Sequence, residues 1–380
     1  MEMKILAATS PNLTNFRDTF NKFSGELAGI CYMSKDIDSI LSQPIEKKLS
    51  RAEVIKQNGH HSVFDHEYVT LYLQDVPKMF AMLLNNEKVY TTSEKSARYT
   101  KMQSSGIQLD LFLKWQEIIK DLIAKKYGNQ PYFSEKRIEK LAQENARYFL
   151  SIYTPTSLAY TVSYRQLNYI YAWLKNLNKT NSELIYNLKP VADEFCSLLE
   201  NNNLIDDDLV QYALGRQFSL IAPKEREEYF GDVYSTNYQG SFASLAQAQR
   251  HRSLNYEMKE LNIKSYYIPK ILESKDLQEM WIEDMLKVED VTPQGQLVQV
   301  YERGTPENFI LKVKERLCTC AQLEIANQTK NTLQRYITNT NDLEIKTMLE
   351  KYNHGARCTS GYDCKTPCKF KEGITLEREI

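Results

Sequence analysis

The sequence predicts a mixed fold in which helices predominate and short β-strands recur. Only 13 glycines and 11 prolines occur among 380 residues, and because both residue types interrupt helices, their scarcity favours a mainly helical chain. Residues 4–8 and 68–73 have the composition of strands, and the second run is rich in β-branched and aromatic side chains. The length allows two or three domains, each with its own core.

Local signals predict several helices in the first half of the chain. A helix is expected over about Ile45–Gln57, because Asn58-Gly59 is a good C-terminal stop. Pro77 is expected to open another helix that runs to about Lys88. Residues 111–199 are predicted to form one long helical section.

Polar clusters at residues 201–203 and 206–208 indicate a boundary, after which the pattern restarts. A short extended piece is expected near Val233-Tyr234, followed by a helix that carries Arg250-His251-Arg252. A final helix is expected to hold both Arg316 and residues 321–325.

Charge and composition narrow the classes of function. Lys and Arg number 48 and Asp and Glu number 49, so no overall basic field attracts nucleic acid and any anion site must be local. The apolar runs are too short to cross a membrane, and Met1-Glu2-Met3-Lys4 opens no secretory signal. Seven cysteines, an odd number, do not fit an extracellular disulfide framework. We therefore expect a soluble cytoplasmic protein with no membrane or nucleic-acid partner.

Residues 247–252, Gln-Ala-Gln-Arg-His-Arg, are the first candidate site. On a helix, Gln247 and Arg250 would share a face, and His251 would lie one step round from Gln247. Two guanidinium groups and an amide suit phosphate and carbonyl oxygens. The alternative is a solvated helix end, where Arg and His are favoured near the last carbonyl groups. Spacing alone leaves both interpretations open.

This stretch and several others resemble the motifs of the flavin-dependent thymidylate synthases, the ThyX family. The family's motifs are divided between two halves of the chain. The first half matches at Gly59-His60-His61-Ser62, Asp65-His66, residues 94–99, Ala146-Arg147 and Ser163-Tyr164-Arg165. The second half matches at Gln247, Arg250-His251-Arg252, Arg316 and the sequence Ala-Gln-Leu-Glu-Ile of residues 321–325.

Neither half carries the whole set. The first half has Asn86-Glu87-Lys88 where the family has its Arg-His-Arg motif, and the second lacks the Gly-His-x-Ser motif. In the family, each nucleotide site is built between subunits, and the residues kept by the two halves are complementary in this respect. The resemblance therefore implies two diverged, fused copies that share one composite site; decay of an inactive paralogue is the alternative.

The resemblance implies that the substrate is dUMP, whose phosphate Arg147, Arg250 and Arg316 would bind. Arg98 would lie at the uracil carbonyl groups, where a cation stabilises charge as C5 becomes nucleophilic. Ser96 is assigned to positioning, so Arg98 and Ser96 are the expected catalytic pair. Glu94 and Gln247 complete the expected substrate site.

The resemblance also implies FAD as cofactor, with methylenetetrahydrofolate as methyl donor and NADPH as reductant. A flavin needs donors for its pyrophosphate and a cation near its pyrimidine edge. Ser34 is a weaker candidate for contact with the flavin. The expected FAD ligands are His60, Ser62, Glu94, Arg165, Arg250, His251 and Arg252.

The C-terminal tail contains one histidine and three cysteines, His354, Cys358, Cys364 and Cys368. This number and these ligand types suit a structural zinc ion. An iron–sulfur cluster that includes Cys318 or Cys320, or a tail of reduced thiols, are the alternatives.

The fold implied by the resemblance is α+β, with two tandem ThyX-like units that form an intramolecular pseudodimer. The expected repeats are residues 1–200 and 204–345, followed by a cysteine-rich tail at 346–380. The chain is expected to form a homodimer equivalent to the family's tetramer. Two other functions stay open: an inactive nucleotide- or flavin-binding regulator, and a flavin enzyme that methylates another uracil-bearing substrate such as tRNA.

Overall fold

The computed structural model describes residues 1–9, 15–98, 100, 104–130, 132–177, 182–213, 215–353, 355, 357–362 and 379–380. The strands are β1 Glu2–Ala8, β2 Tyr68–Pro77, β3 Tyr90–Glu94, β4 Pro155–Ser163, β5 Tyr229–Phe230, β6 Tyr234–Ser241, β7 Asn255–Glu260 and β8 Leu297–Gly304. The first helices are α1 Phe16–Tyr32, α2 Ile37–Leu41, α3 Ile45–Gln57, α4 Lys78–Leu84, α5 Gly106–Tyr127, α6 Glu135–Ala146, α7 Tyr164–Lys175 and α8 Glu183–Tyr186. The others are α9 Lys189–Asn201, α10 Asp207–Val210, α11 Phe242–Ala248, α12 Lys275–Leu286, α13 Pro306–Arg316, α14 Leu323–Asn339 and α15 Leu343–Glu350.

Two four-stranded antiparallel sheets organise the helices. Their strand orders are β1-β2-β4-β3 and β5-β6-β8-β7, so the two sheets have the same topology. In both, a short helix leads from the second strand to the third, and a longer helix follows the fourth. The α+β fold class expected from the sequence is confirmed.

The chain divides into two compact units. The first unit comprises residues 1–95 and 155–218, and the second comprises residues 96–154 and 219–380. Helices α5 and α6, which lie between two strands of the first sheet in sequence, therefore belong to the unit that contains the second sheet. This division describes packing rather than ancestry, so the repeat boundaries at 200 and 345 stay predictions.

The core of the first unit lies between its sheet and helices. Strand β2 alternates buried and less buried residues, with Val69, Leu71 and Leu73 inaccessible to solvent. Such alternation places one face of a strand against the helices. Phe80 of α4 meets Phe195 of α9 with ring centroids 5.7 Å apart, which joins the two helices.

The second unit has an aromatic core in which α5 and α12 take part. Trp115 and Trp281 are fully buried and pack edge to face, with centroids 4.9 Å apart. Phe149 lies 4.6 Å from Trp281. The indole N–H of Trp115 donates to Asp284 Oδ2 at 2.8 Å, which satisfies the polar edge of a buried ring.

Several sequence-based expectations are confirmed. Helix α3 spans Ile45–Gln57 as predicted, and Gly59 follows it with a φ of +72°, a conformation that glycine adopts without strain. Strands β1 and β2 cover the two predicted runs. A helix follows Pro77 directly, although it ends at Leu84 rather than near Lys88.

The prediction of one long helical section over residues 111–199 is wrong. This segment contains β4, an inner strand that pairs with both β2 and β3. Residues Thr156, Leu158, Tyr160 and Val162 of β4 are buried and alternate with less buried neighbours. That period of two is typical of a strand, and long-range pairing overrides the helical propensity of the flanking segments.

Two predicted helices are also shorter than expected. Helix α11 ends at Ala248, so Arg250-His251-Arg252 follow it in the connection to β7. The expected final helix is two helices, α13 and α14, separated by residues 317–322. Gln322 has an extended backbone with ψ 143°, which breaks the helical path before α14 begins.

No helix within the described residues is both long and apolar enough to cross a membrane.

Glu67 offers a test of the packing in the first unit. Its side chain is inaccessible to solvent, and neither carboxyl oxygen has a hydrogen-bond partner among the described residues. Burial, with a smaller effect from Glu26, raises the pKa of Glu67 to about 8. Ionisation of this group therefore opposes folding, and the cost grows as the pH rises from the unfolded-state pKa towards the folded-state pKa.

We predict that Glu67→Gln is more stable than the parent protein at pH 8, by about 1–3 kcal/mol. The advantage should shrink at pH 5, because this pH lies only slightly above the ordinary glutamate pKa of 4.5, so protonating the carboxyl on folding costs little. Urea denaturation at both pH values measures this. Glu53→Gln, at a half-exposed position of the same unit, is the control and should show no such trend. Equal stabilities of Glu67→Gln and the parent at pH 8 would contradict the prediction.

Candidate functional site

Residues from both halves of the sequence lie together in the second unit. Ser96, Arg98 and Arg147 come from the first half, and Arg250 and Arg316 come from the second. Electrostatic effects on pKa values link these arginines: Arg98 acts on both Arg147 and Arg316, and Arg250 acts on Arg316. Four guanidinium groups therefore occupy one region.

Arg98 is held in place by a carboxylate and a carbonyl group. Its Nε donates to Glu144 Oε2 at 2.5 Å, and its Nη2 donates to the carbonyl of Cys320 at 2.6 Å. The Ser96 hydroxyl accepts from the Arg98 N–H at 3.4 Å, and the Ser96 carbonyl accepts from the Thr100 N–H at 3.0 Å. Ser96 thus shapes the turn that presents Arg98, in keeping with a positioning role.

Arg147 follows α6 in a short 3-10 turn and is 7% exposed. Its Nη2 donates to Gln322 Oε1, whereas its Nε has no partner among the described residues. Burial lowers the pKa of Arg147, Glu144 acts in the opposite direction, and the charge of Arg98 lowers it further. The charged form is therefore held at a cost that a bound anion would reduce.

Arg316 ends α13 and makes its main contact with a histidine. Its Nε donates to His251 Nε2 at 2.6 Å, and its Nη2 donates to the carbonyl of Gln247 at 3.4 Å. Burial lowers the pKa of Arg316, Glu315 opposes this, and Arg98 and Arg250 lower it further. Arg316 thus has a neutral partner and like-charged neighbours.

His251 is a buried neutral base. Burial, the charge of Arg316 and the charge of Lys312 lower the pKa of His251 to about 2. Because Nε2 accepts the hydrogen bond from Arg316, the ring proton lies on Nδ1. The sequence analysis assigned His251 to FAD binding. In the structure, one of the two ring nitrogens of His251 accepts a hydrogen bond from Arg316 and so orients that side chain.

Lys312 is a member of this region that sequence reasoning missed. It lies one helical turn before Arg316 on α13, and its Nζ donates to Glu302 Oε2 at 2.6 Å with both side chains fully buried. The hydroxyls of Tyr234 and Tyr238 also donate to Glu302. The i, i+4 spacing of Lys312 and Arg316 is the signal that could have found it.

Gln247 is the penultimate residue of α11. Its side-chain Oε1 and Nε2 are both buried, and neither has a hydrogen-bond partner among the described residues. A buried amide without partners is costly unless a ligand completes it. This observation fits the expected role of Gln247 in substrate binding.

The connection between α13 and α14 accepts hydrogen bonds from three arginines that lie within residues 98–147. Its carbonyl groups at Thr319 and Cys320 accept from Arg137 and Arg98, and its last side chain, Gln322, accepts from Arg147. Glu324, in the first turn of α14, accepts from the hydroxyls of Tyr148 and Ser241. Residues 321–325, singled out in the sequence, therefore supply contacts that hold the arginine region.

Four expected FAD ligands lie in the first unit, namely His60, Ser62, Glu94 and Arg165. His60 and Ser62 are exposed and flank the start of a 3-10 turn, and His60 Nδ1 contacts the Tyr32 hydroxyl. Arg165 forms an ion pair with Asp65, which also accepts from Ser163 Oγ at 2.7 Å. An exposed imidazole, a hydroxyl and a guanidinium group are donors of the kind that fit the pyrophosphate of FAD.

The remaining expected ligands are placed as follows. The Glu94 carboxylate accepts from Lys78 and, at 3.1 Å, from Asn85, both within the first unit. Ser34 and Arg252 are exposed, and Arg250 is partly buried.

The expected zinc ligands His354, Cys364 and Cys368 lie outside the described residues, and Cys358 is buried. Within the described part of the chain, no group of three or more His, Cys, Asp or Glu side chains could hold a metal ion. The zinc site and its iron–sulfur alternative have no support from the structure.

Known proteins resemble parts of this chain. No curated protein matches the sequence. Two solved structures of ThyX from Helicobacter pylori with FAD and dUMP are 18% and 17% identical; each comparison covers 55% of this chain and 99% of that chain, with a TM-score of 0.32. The UMP/dUMP methylase PolB from Streptomyces cacaoi, bound with 5-Br dUMP, is 11% identical and covers 55% of this chain and 93% of that chain, with a TM-score of 0.35. TM-scores of this size carry no weight for the arrangement of the chain.

A family model gives the firmer result. The model described as Thymidylate synthase complementing protein, Thy1, matches residues 17–184. This range includes Arg98, Arg147 and the Gly59-His60-His61-Ser62 motif, and it ends before the second half. The resemblance recognised in the sequence is confirmed over this range: residues 17–184 match the family of thymidylate synthase complementing proteins.

Proposed function

We propose that this chain is a flavin-dependent thymidylate synthase that methylates dUMP at one composite site. Methylenetetrahydrofolate is the methyl donor in this proposal, and NADPH is the reductant. The proposal rests on the family match over residues 17–184 and on the arginines that the second unit gathers from both halves of the sequence.

The single observation that carries the proposal is the arginine region. The charge of Arg98 lowers the pKa of both Arg147 and Arg316, and that of Arg250 lowers the pKa of Arg316, whereas Glu144, Glu324 and Glu315 act in the opposite direction. Several guanidinium groups at close range are unfavourable in the absence of an anion. A nucleotide phosphate is a dianion that accepts bidentate hydrogen bonds from such groups.

In this proposal, the contacts of each residue indicate its role in the site. Arg147, Arg250 and Arg316 bind the phosphate of dUMP in this proposal, and the unpartnered Gln247 amide completes the substrate site. Arg98, fixed by Glu144 and Cys320, lies at the uracil carbonyl groups and stabilises the negative charge that develops there when C5 becomes nucleophilic. This electrostatic activation leaves Ser96 to position Arg98 rather than to attack the base.

In this proposal, the FAD ligands in the first unit are His60, Ser62 and Arg165, and those in the second unit are Arg250, His251 and Arg252. When bound, the flavin supplies the redox chemistry that accompanies transfer of the one-carbon unit. The protein's part is to bind its phosphates through these donors. Glu94, bound by Lys78 and Asn85 in the first unit, contributes to the substrate or flavin site only if those contacts exchange.

The common strand order of the two sheets supports the proposal of tandem, diverged copies. Helices α5 and α6 belong by sequence to the first copy and by packing to the second unit. This exchange explains how Arg98 and Arg147 of one half come to lie with Arg316 of the other. The proposed homodimer would then contain four ThyX-like copies and two sites.

A nucleotide-binding regulator without turnover is the second candidate function. The observation that favours it is the engagement of Glu94, an expected site residue, within the first unit. The two candidate functions differ in turnover: the synthase binds the nucleotide and forms dTMP, whereas the regulator binds the nucleotide and forms no product.

The first test uses the visible absorption spectrum of the protein loaded with FAD. We predict that dUMP perturbs the flavin spectrum, and that Arg250→Ala raises the dUMP concentration needed by about tenfold to a hundredfold, because a charge-assisted hydrogen bond contributes about 1.5–3 kcal/mol. Arg226→Ala, at an exposed arginine of the same unit, should behave as the parent. A protein that binds no FAD at excess cofactor would refute the flavin enzyme.

The second test separates catalysis from binding. We predict that Arg98→Lys lowers the rate of dTMP formation by about a hundredfold or more, because a single ammonium group cannot reproduce two directed donors near the base. The affinity for dUMP should change much less, because the phosphate contacts remain. Equal losses in rate and affinity would assign Arg98 to the phosphate, and a parent protein that binds dUMP but forms no dTMP would favour the regulator.

A further inference from the structure

A groove of about 750 Å³ lies in the second unit, lined mainly by β6 and α14. Small-molecule sites in proteins commonly enclose about 300–1,000 Å³. The groove is distinct from the arginine region, because none of Arg98, Arg147, Arg250 and Arg316 lines it. It is therefore a separate place where a ligand of moderate size could bind.

Helix α14 gives the groove a wall of amide groups. Asn327, Asn331 and Gln334 follow one another at spacings of four and three residues, which places them on one face of the helix. All three side chains are at least partly exposed, and none forms a hydrogen bond with another described residue. An amide both donates and accepts, so this wall can pair with a ligand group that does the same, such as the –CO–NH– edge of a heterocycle.

The rest of the wall includes two tyrosines that are held in place. The Tyr238 hydroxyl donates to Glu302 Oε2 at 2.9 Å, and the ring of Tyr267 packs against Tyr148 with centroids 5.0 Å apart. Both tyrosines line the groove and are only partly buried. A fixed aromatic surface is suited to contact with the face of a flat ring.

Gly240 lines the groove from the interior of β6, where glycine is normally unfavourable. Its φ is not positive, and a Cβ at this position would come no closer than 3.4 Å to its nearest neighbour, Cε2 of Tyr238. At Gly304, by comparison, a Cβ would lie 2.3 Å from Leu254, so packing explains the glycine there. Neither conformation nor packing requires glycine at position 240. A glycine within a strand is one mark of a place where a ligand approaches the backbone closely.

The two ionic side chains that line the groove already have partners. Arg335 pairs with Glu228, and the Glu324 carboxylate accepts from the N–H and hydroxyl of Ser241 and from the Tyr148 hydroxyl. An anionic ligand would have to compete with Glu228, and a cationic ligand would have to displace the donors to Glu324. A neutral polar ligand meets neither cost.

We propose that this groove is a second ligand site, which binds an uncharged nucleoside through its base. The flat face of the base lies against Tyr238 and Gly240, and its polar edge pairs with the amide groups of α14. Amide side chains recognise bases in this way because they can form two parallel hydrogen bonds with the base edge. A free sugar shares the hydrogen-bonding chemistry but has no flat face of this kind. The proposal does not depend on the reaction at the arginine region.

The test is titration calorimetry of the full chain with uridine, thymidine and adenosine. We expect one of these nucleosides to bind, with one molecule per chain and with an affinity that changes little between low and high salt, because the ligand carries no charge. Gly240→Ala should weaken binding by about tenfold or more, because the added methyl group occupies the space for the base. Asn331→Ala should weaken it by about threefold to tenfold through loss of a hydrogen bond.

Two controls locate the binding. Asn308→Ala removes a partly buried amide of α13 that does not line the groove, and it should bind as the parent does. Arg250→Ala should also leave nucleoside affinity unchanged, because Arg250 lies in the arginine region. Thermal unfolding should show that Gly240→Ala is at least as stable as the parent, because its methyl group makes only ordinary contacts. If that variant does not fold, Asn331→Ala, at an exposed position, decides.

Four results would overturn the proposal. The first is that the parent binds none of the three nucleosides at millimolar concentrations, and the second is that binding is unaffected by Gly240→Ala and Asn331→Ala. The third is that ribose binds as tightly as the nucleosides, which would assign the groove to a sugar. The fourth is that Arg250→Ala abolishes nucleoside binding, which would assign the nucleoside to the arginine region.

Discussion

Four guanidinium groups in one region of the second unit are the constraint to which the surrounding structure responds. Arg98 is balanced by Glu144, whereas Arg147 and Arg316 are held mainly by neutral acceptors, Gln322 and His251. Neutral acceptors orient a guanidinium group without cancelling its charge, so the charge remains available to a ligand. Lys312 adds a fifth cation, and the buried carboxylate of Glu302 neutralises it. The chain thus pairs Lys312 with a carboxylate, whereas it orients Arg147 and Arg316 mainly through neutral acceptors.

The path of the chain makes this arrangement possible. After β3 it leaves the first unit, forms α5 and α6 within the second, and returns to the first sheet as β4. This segment, residues 96–154, begins with Ser96 and Arg98 and contains Arg147. Packing of Trp115 and Phe149 against Trp281 holds the segment in the second unit. Burial of aromatic surface therefore determines which arginines can meet, and the site depends on packing well away from any ligand.

Local sequence signals predicted local structure well and longer-range features poorly. The Asn58-Gly59 stop defined the end of α3, because a C-terminal cap depends on only a few neighbouring residues. Strand β4 was missed because its identity depends on pairing with β2 and β3, which are distant in sequence. Among the site residues, Arg147 and Arg316 could be selected from motifs. The hydrogen bond from Arg316 to His251 could not be predicted, because the two residues are 65 positions apart in the sequence.

The most direct test of a composite site is a double-mutant cycle on dUMP binding, measured by titration calorimetry with Arg147→Lys, Arg316→Lys and the double variant. The parent should bind one dUMP per chain. If residues from the two halves grip the same phosphate, the losses in binding free energy should be non-additive by about 0.5 kcal/mol or more, as for groups that share a partner. Strictly additive losses, two dUMP molecules per chain, or no binding by the parent would contradict the account.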